Sequence, residues 1–140
     1  MSISIDEIID NFSYIDDWEE RYRYVIELGR DLKGLSPEAM TEANKVQGCV
    51  SQVWLTTELS GDSDNPTLIF QGDSDAHIVK GLVAIALITF SGKSAKEILA
   101  TDADAIFNKI GLHDHLTPQR SNGLQAMIGR IKTDAQNALS

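Results

Sequence analysis

With 140 residues, 42% of them apolar and 24% charged, the chain suits one sizeable buried core and leaves little room for a second, so a single domain over 1–140 is expected. Lys and Arg number 12 against 21 Asp and Glu, a net charge of −9 that disfavours nucleic acid and anionic membrane as partners and suits a partner with a basic patch. One cysteine excludes an internal disulfide, the start "MSISIDEIIDNF" is acidic where a secretory signal is basic, and the apolar run 81–90 falls short of the ~20 residues that span a bilayer, so a cytoplasmic protein is expected.

In chain order, Ser4 and Glu7 have the spacing of a capping box, and Ile5, Ile8, Ile9 and Phe12 follow on one helical face. A second helix starts at Asp16 or Asp17, turns Trp18, Tyr22, Val25 and Ile26 inward, and ends near Gly34. "SPEAM" (36–40) predicts a short helical turn. Alternation in "SQVWLTTEL" (51–59) and "TLIFQ" (67–71) predicts two antiparallel strands, joined by the turn-rich "SGDSDNP" (60–66). A third strand is expected near "TEANKV", just before Gly48.

The remainder reads as helical. Asp73 or Ser74 is the expected N-cap of a helix that is apolar on nearly every face from Ile78 to Phe90 and therefore buried against the sheet. "SAKE" (94–97) predicts a second capping box, and "DADAIFNKIG" another short helix. Thr117 and Pro118 fit the N-cap and first position of a terminal helix with Leu124, Met127, Ile128 and Ile131 inward. Helices, then two or three antiparallel strands, then helices make an α+β pattern.

The chemistry centres on Cys49, in "KVQGCVSQVW" (45–54). A lone cysteine is commonly a small buried hydrophobe. Yet Cys49 follows a glycine, stands at the entrance to a strand, and has backbone N–H groups of Gly48, Val50 and Ser51 nearby to stabilise an anion. These features leave core filler and reactive thiol both open. Its solitude excludes an Fe–S cluster or structural zinc held by this chain's cysteines, and a CxxC couple. His77 reads as a core or capping residue and "HDH" (113–115) as a solvated loop rather than a metal site. Among thiol chemistries, carrying one sulfur asks least, since a partner supplies the other groups. Arg120, in the first turn of the last helix, opposes the helix dipole, which fits either a surface cation or an anion-binding one.

Four blocks of sequence carry a resemblance: "DDWEERYRYVIELGRDL" (16–32), "KVQGCVSQVWL" (45–55), "QGDSDAHIVKGLVA" (71–84) and "HLTPQRSNGLQAMI" (115–128). Together they closely resemble the SufE family, sulfur acceptors that work with a cysteine desulfurase in iron–sulfur cluster assembly. The resemblance implies an α+β sandwich related to that of the scaffold IscU, with a small antiparallel sheet packed by helices. It implies that Cys49 receives persulfide sulfur, stimulates desulfurase turnover, and delivers the sulfur to a cluster scaffold. Gly48, Ser51, Asp75 and Arg120 are the implied supporting or partner-binding residues. The implied partners are a pyridoxal-phosphate-dependent, SufS-like desulfurase and a SufBCD-like scaffold, with a second copy of the chain as a further candidate. No cofactor or metal of its own is implied. A non-covalent desulfurase activator and a CsdE-type paralogue serving another desulfurase stand as alternatives.

Overall fold

The computed structural model describes residues 3–48, 51–111 and 116–139. Helix α1 (Ile5–Ser13) begins where Ser4 Oγ accepts the backbone N–H of Glu7 at 3.2 Å. Helix α2 (Trp18–Arg30) begins at Asp17, whose carboxylate accepts from Glu19 N, and buries Val25, Leu28 and Gly29. A 3₁₀ turn follows at Pro37–Ala39, on the "SPEAM" segment. Strands β1 (Val53–Ser60) and β2 (Thr67–Ser74) pair antiparallel from Val53 opposite Ser74 to Ser60 opposite Thr67.

Helix α3 (His77–Phe90) is buried along almost its whole length, because its apolar residues face α2 on one side and the sheet on the other. It crosses α2 glycine to glycine: a Cβ on Gly81 would strike the carbonyl oxygen of Val25, and one on Gly29 would lie 2.7 Å from the backbone nitrogen of Gly81. The absence of two side chains therefore lets the helix backbones touch. After α3 the chain turns back at Gly92, whose N–H donates to Leu68 O at 2.8 Å. The two-residue strand β3 (Lys93–Ser94) then adds to β2, giving the order β1-β2-β3.

Ser94 and Glu97 form the full reciprocal capping box of α4 (Ala95–Ala100). Asp102 caps α5 (Ala103–Ile110), which ends at the left-handed Gly111. The long α6 (Pro118–Ala138) starts at Thr117, whose Oγ1 accepts from Arg120 N at 3.2 Å, and it buries Leu124, Met127, Ile128 and Ile131. The expected α+β class is thus the observed one, and the buried apolar residues form one contiguous cluster from Ile8 to Ala135. No helix among the described residues is long and apolar enough to cross a membrane.

Two local expectations are corrected. Asp73 and Ser74 do not cap α3; they end β2, and Ala76 holds the N-cap position without a side-chain bond. The strand continues past Gln71 because Gly72 leaves a notch that Leu55 and Val83 fill: a Cβ there would lie 2.7 and 2.8 Å from their methyl groups. The third strand is β3, after α3, and the segment before Gly48 contributes only an isolated bridge, Lys45 to Trp54.

Candidate functional site

The chain around the cysteine folds back on itself. Val46 N donates to Val53 O and Leu55 N donates to Asn44 O, both at 2.8 Å, so residues 44–46 lie antiparallel to the start of β1. Gln47 and Gly48 continue the incoming limb of this narrow hairpin, and Ser51 and Gln52 lead into the outgoing one. Cys49 and Val50 lie outside the described residues, but Gly48 and Ser51 on either side of them are described. Gly48 has φ +92°, a region in which a side chain is strained, and a Cβ there would sit 3.4 Å from that of Ala126 on α6. Glycine therefore serves the turn, while the space towards α6 would admit a side-chain carbon in ordinary contact.

The outgoing limb of the loop is tied to the end of β2. Gln52 N donates to Asp75 Oδ1 at 3.1 Å and Gln52 Nε2 to Asp75 Oδ2 at 3.4 Å. Asp75 N returns a bond to Gln52 O at 3.3 Å, and Ser74 Oγ donates to the same carbonyl at 2.8 Å. Asp75 thus acts on the loop through Gln52, a residue that sequence reasoning passed over.

Behind Asp75, the buried Asp73 fastens the same corner. Its carboxylate accepts from Leu35 N at 3.1 Å and Ser74 N at 2.8 Å, and pairs with Lys80 Nζ at 3.3 Å. Burial pushes the Asp73 pKa upward, but the two backbone N–H groups and the ammonium of Lys80 outweigh it and hold the carboxyl below its ordinary value. A Cβ on Gly34, itself at φ +78°, would lie 2.8 Å from Asp73 Oδ2, so the carboxylate reaches Leu35 only over a glycine.

Ser51 and Arg120 line one cleft of about 210 Å³ together with Val79, Thr117, Gln119, Gly123 and Met127. Its floor is apolar and its rim carries the hydroxyls, the amide and the guanidinium. Arg120, Gly123 and Met127 follow the i, i+3, i+7 spacing of one helix face, a signal present in the sequence, where Met127 reads only as core. Arg120 is half-buried, and among the described residues no carboxylate pairs with it. Its cation lies within the first turn of a 21-residue helix, whose free N–H groups add to a local preference for negative charge. Four of the expected site residues thus fall into three places: Ser51 and Arg120 share the cleft, Asp75 holds Gln52, and Gly48 makes the turn facing Ala126. Cys49, His113 and His115 lie outside the described residues.

Comparisons with known proteins extend over the same elements. The family model described as "SufE: Fe-S metabolism associated domain" matches residues 6–135. An uncharacterized SufE-like protein of Rhizobium etli is 61% identical over 133 residues, covering 95% of this chain and 90% of that protein. Another, from Rhizobium meliloti (strain 1021), is 58% identical over 136 residues and covers 97% of both. The solution structure of a hypothetical protein from Thermus thermophilus superposes with a TM-score of 0.75, covering 96% of this chain and 95% of that one at 19% identity, which speaks for the fold.

Proposed function

The chain belongs to the SufE family, a domain family associated with Fe–S metabolism, and from that premise we propose that it is a sulfur acceptor whose carrier atom is the Cys49 thiol. The supplier is a pyridoxal-phosphate-dependent cysteine desulfurase of the SufS kind, and the recipient is a SufBCD-like cluster scaffold in the cytoplasm. In the transfer, the Cys49 thiolate attacks the outer sulfur of the desulfurase's cysteine persulfide. A new S–S bond forms at Cys49, the old one breaks, and the desulfurase cysteine leaves as a thiolate. No external oxidant or reductant is needed, and clearing the persulfide lets the desulfurase turn over again.

The observation that carries this reading is the cleft beside the cysteine loop. Ser51, two residues after Cys49, shares it with a guanidinium that no described carboxylate neutralises. An ordinary thiol, of pKa about 8.5, is only slightly ionised at neutral pH, so transfer needs a group that favours the anion. Arg120 supplies that group, and the floor of Val79, Gly123 and Met127 supplies a surface away from competing thiols. At about 210 Å³ the cleft is smaller than the roughly 300 Å³ from which small-molecule sites begin, which suits a side chain as its occupant. Gly48, Asp75 and Gln52 set the loop that presents the thiol.

The test is intact-mass measurement after incubation with desulfurase and free cysteine. Wild-type protein is expected to gain the mass of one sulfur, removable by a thiol reductant, and Cys49→Ser to gain none. Equal loading of Cys49→Ser, or no loading of the wild type by either a SufS-type or a CsdE-partner desulfurase, overturns the reading. Full stimulation of the desulfurase by Cys49→Ser would mark a non-covalent activator instead.

A further inference from the structure

The incoming limb of the cysteine hairpin is held from a direction that the cleft does not account for. Arg130, ten residues beyond Arg120 and so about 15 Å further along α6, donates through Nη1 to Lys45 O at 3.4 Å and through Nη2 to Ala43 O at 3.2 Å. Its Nε donates to Asp134 Oδ1 at 3.4 Å, and Asp134 Oδ2 accepts the hydroxyl of Thr57 on β1 at 2.6 Å. One network therefore joins α6 to both limbs of the hairpin. Both charged side chains are largely shielded, with 28% and 19% of their surface exposed.

The choice of carbonyls follows from the local backbone. Residues 42–44 form a turn, closed by Asn44 N to Thr41 O at 3.1 Å and Lys45 N to Glu42 O at 3.2 Å, and of the carbonyls that follow only that of Asn44 bonds to β1, so those of Ala43 and Lys45 are the ones that meet the guanidinium. β1 is an edge strand, and no further strand stands beyond residues 43–45 among the described residues. The planar guanidinium takes that place. Its two outer nitrogens meet two carbonyls two residues apart, at the end of the turn, and Nε stays anchored on its own helix.

We propose that Arg130 is a positioning residue: it fixes the angle between the cysteine hairpin and α6, and with it the approach of Cys49 to the Arg120 cleft. The consequence for transfer rests on the sulfur-acceptor reading; the clamp itself does not. Loss of the fork leaves two carbonyls to water and lets the hairpin's bonds to β1 open more readily. Arginine is required because a lysine ammonium at this distance cannot hold Asp134 and two separated carbonyls in one plane.

Arg130→Lys tests the proposal, with Lys132→Met as control, since Lys132 makes a helix-to-carbonyl bond of its own, Nζ to Thr101 O at 2.8 Å, far from the hairpin. Amide exchange of Val46 and Leu55 is expected to quicken about tenfold in Arg130→Lys, the scale of one charge-assisted hydrogen bond. Exchange in the β1–β2 ladder, from Glu58 to Phe70, is expected to stay unchanged. Sulfur loading is expected to slow about tenfold in turnover number at an unchanged KM for the desulfurase, again one such bond. The control is expected to match wild type in both. Unchanged exchange of Val46 and Leu55 overturns the clamp, whatever loading does. Quickened exchange with wild-type loading, or an equal loading defect in Lys132→Met, overturns the positioning role. Should the wild type itself never load, it is the sulfur-acceptor reading that fails, and exchange still decides the clamp.

Discussion

At the level of single side chains, two charges carry opposite duties. Asp73 is structural: buried, bonded to two backbone N–H groups and paired with Lys80, it locks the corner from which Asp75 holds Gln52. Its folded-state pKa is lowered, so the stability it contributes is fully present above the unfolded value of 3.8 and is lost as pH falls through the folded one. Urea denaturation as a function of pH should therefore show wild type weakening below about pH 4 more steeply than Asp73→Asn. At neutral pH that variant should be less stable by about 1–3 kcal/mol, the range for losing hydrogen bonds to a charge. Among the described residues Arg120 has no such ion-pair partner. Arg120→Ala should fold with near wild-type stability yet accept sulfur about 10- to 100-fold more slowly, and Arg120→Lys should recover part of the loss. A wild-type loading rate in Arg120→Ala would remove the guanidinium from the transfer. Sequence separates these two charges poorly. Asp73 sits where a cap would stand, and only the 38-residue return of Leu35 to its carboxylate reveals the other role. Arg120 is visible as an oddity, because a cation in a first turn conflicts with the dipole there.

Between elements, the decisive contact is the crossing of α2 and α3 at Gly29 and Gly81. Gly81→Ala drives a methyl group into the carbonyl of Val25 and forces the two helices apart. The expected cost is about 3 kcal/mol or more, at the upper end of overpacking effects, measurable by urea denaturation. Gly129, on the exposed side of α6, meets nothing within 4 Å, and Gly129→Ala should instead stabilise by about 0.5–1 kcal/mol. A near-neutral Gly81→Ala would show that the crossing yields freely. Helices were legible because most announce themselves locally: Ser4, Asp17, Ser94 and Thr117 accept the cap bonds that their spacing suggests. β3 was not, since two residues have no period and pair only because Ser91 and Gly92 return the chain to β2. The clamp from Arg130 was equally hidden. Its partners lie 85 and 87 residues away, and they are backbone carbonyls that carry no side-chain signature.

For the molecule as a whole, the net charge of −9 sets how it meets a partner. If acidic groups steer the encounter with the desulfurase, association should slow about tenfold or more as salt rises from about 10 mM to 1 M, over which the screening length falls from about 30 to 3 Å. Stopped-flow mixing reads this directly, and a flat salt profile would exclude steering by that charge. The helical core and the sheet are fixed by burial that periodicity makes visible, whereas the site is assembled from a loop, a strand end and a helix start that only the tertiary fold brings together. That assembly also carries its own optical probe. Of the two tryptophans, Trp54 sits on the hairpin stem, half-buried and bridged to Lys45, while Trp18 lies under the guanidinium of Arg21 at the start of α2. Replacing Trp18 with Phe would leave emission from Trp54 alone. Movement of the stem could then be followed by intrinsic fluorescence, in real time and with no dye attached to the thiol whose chemistry is in question.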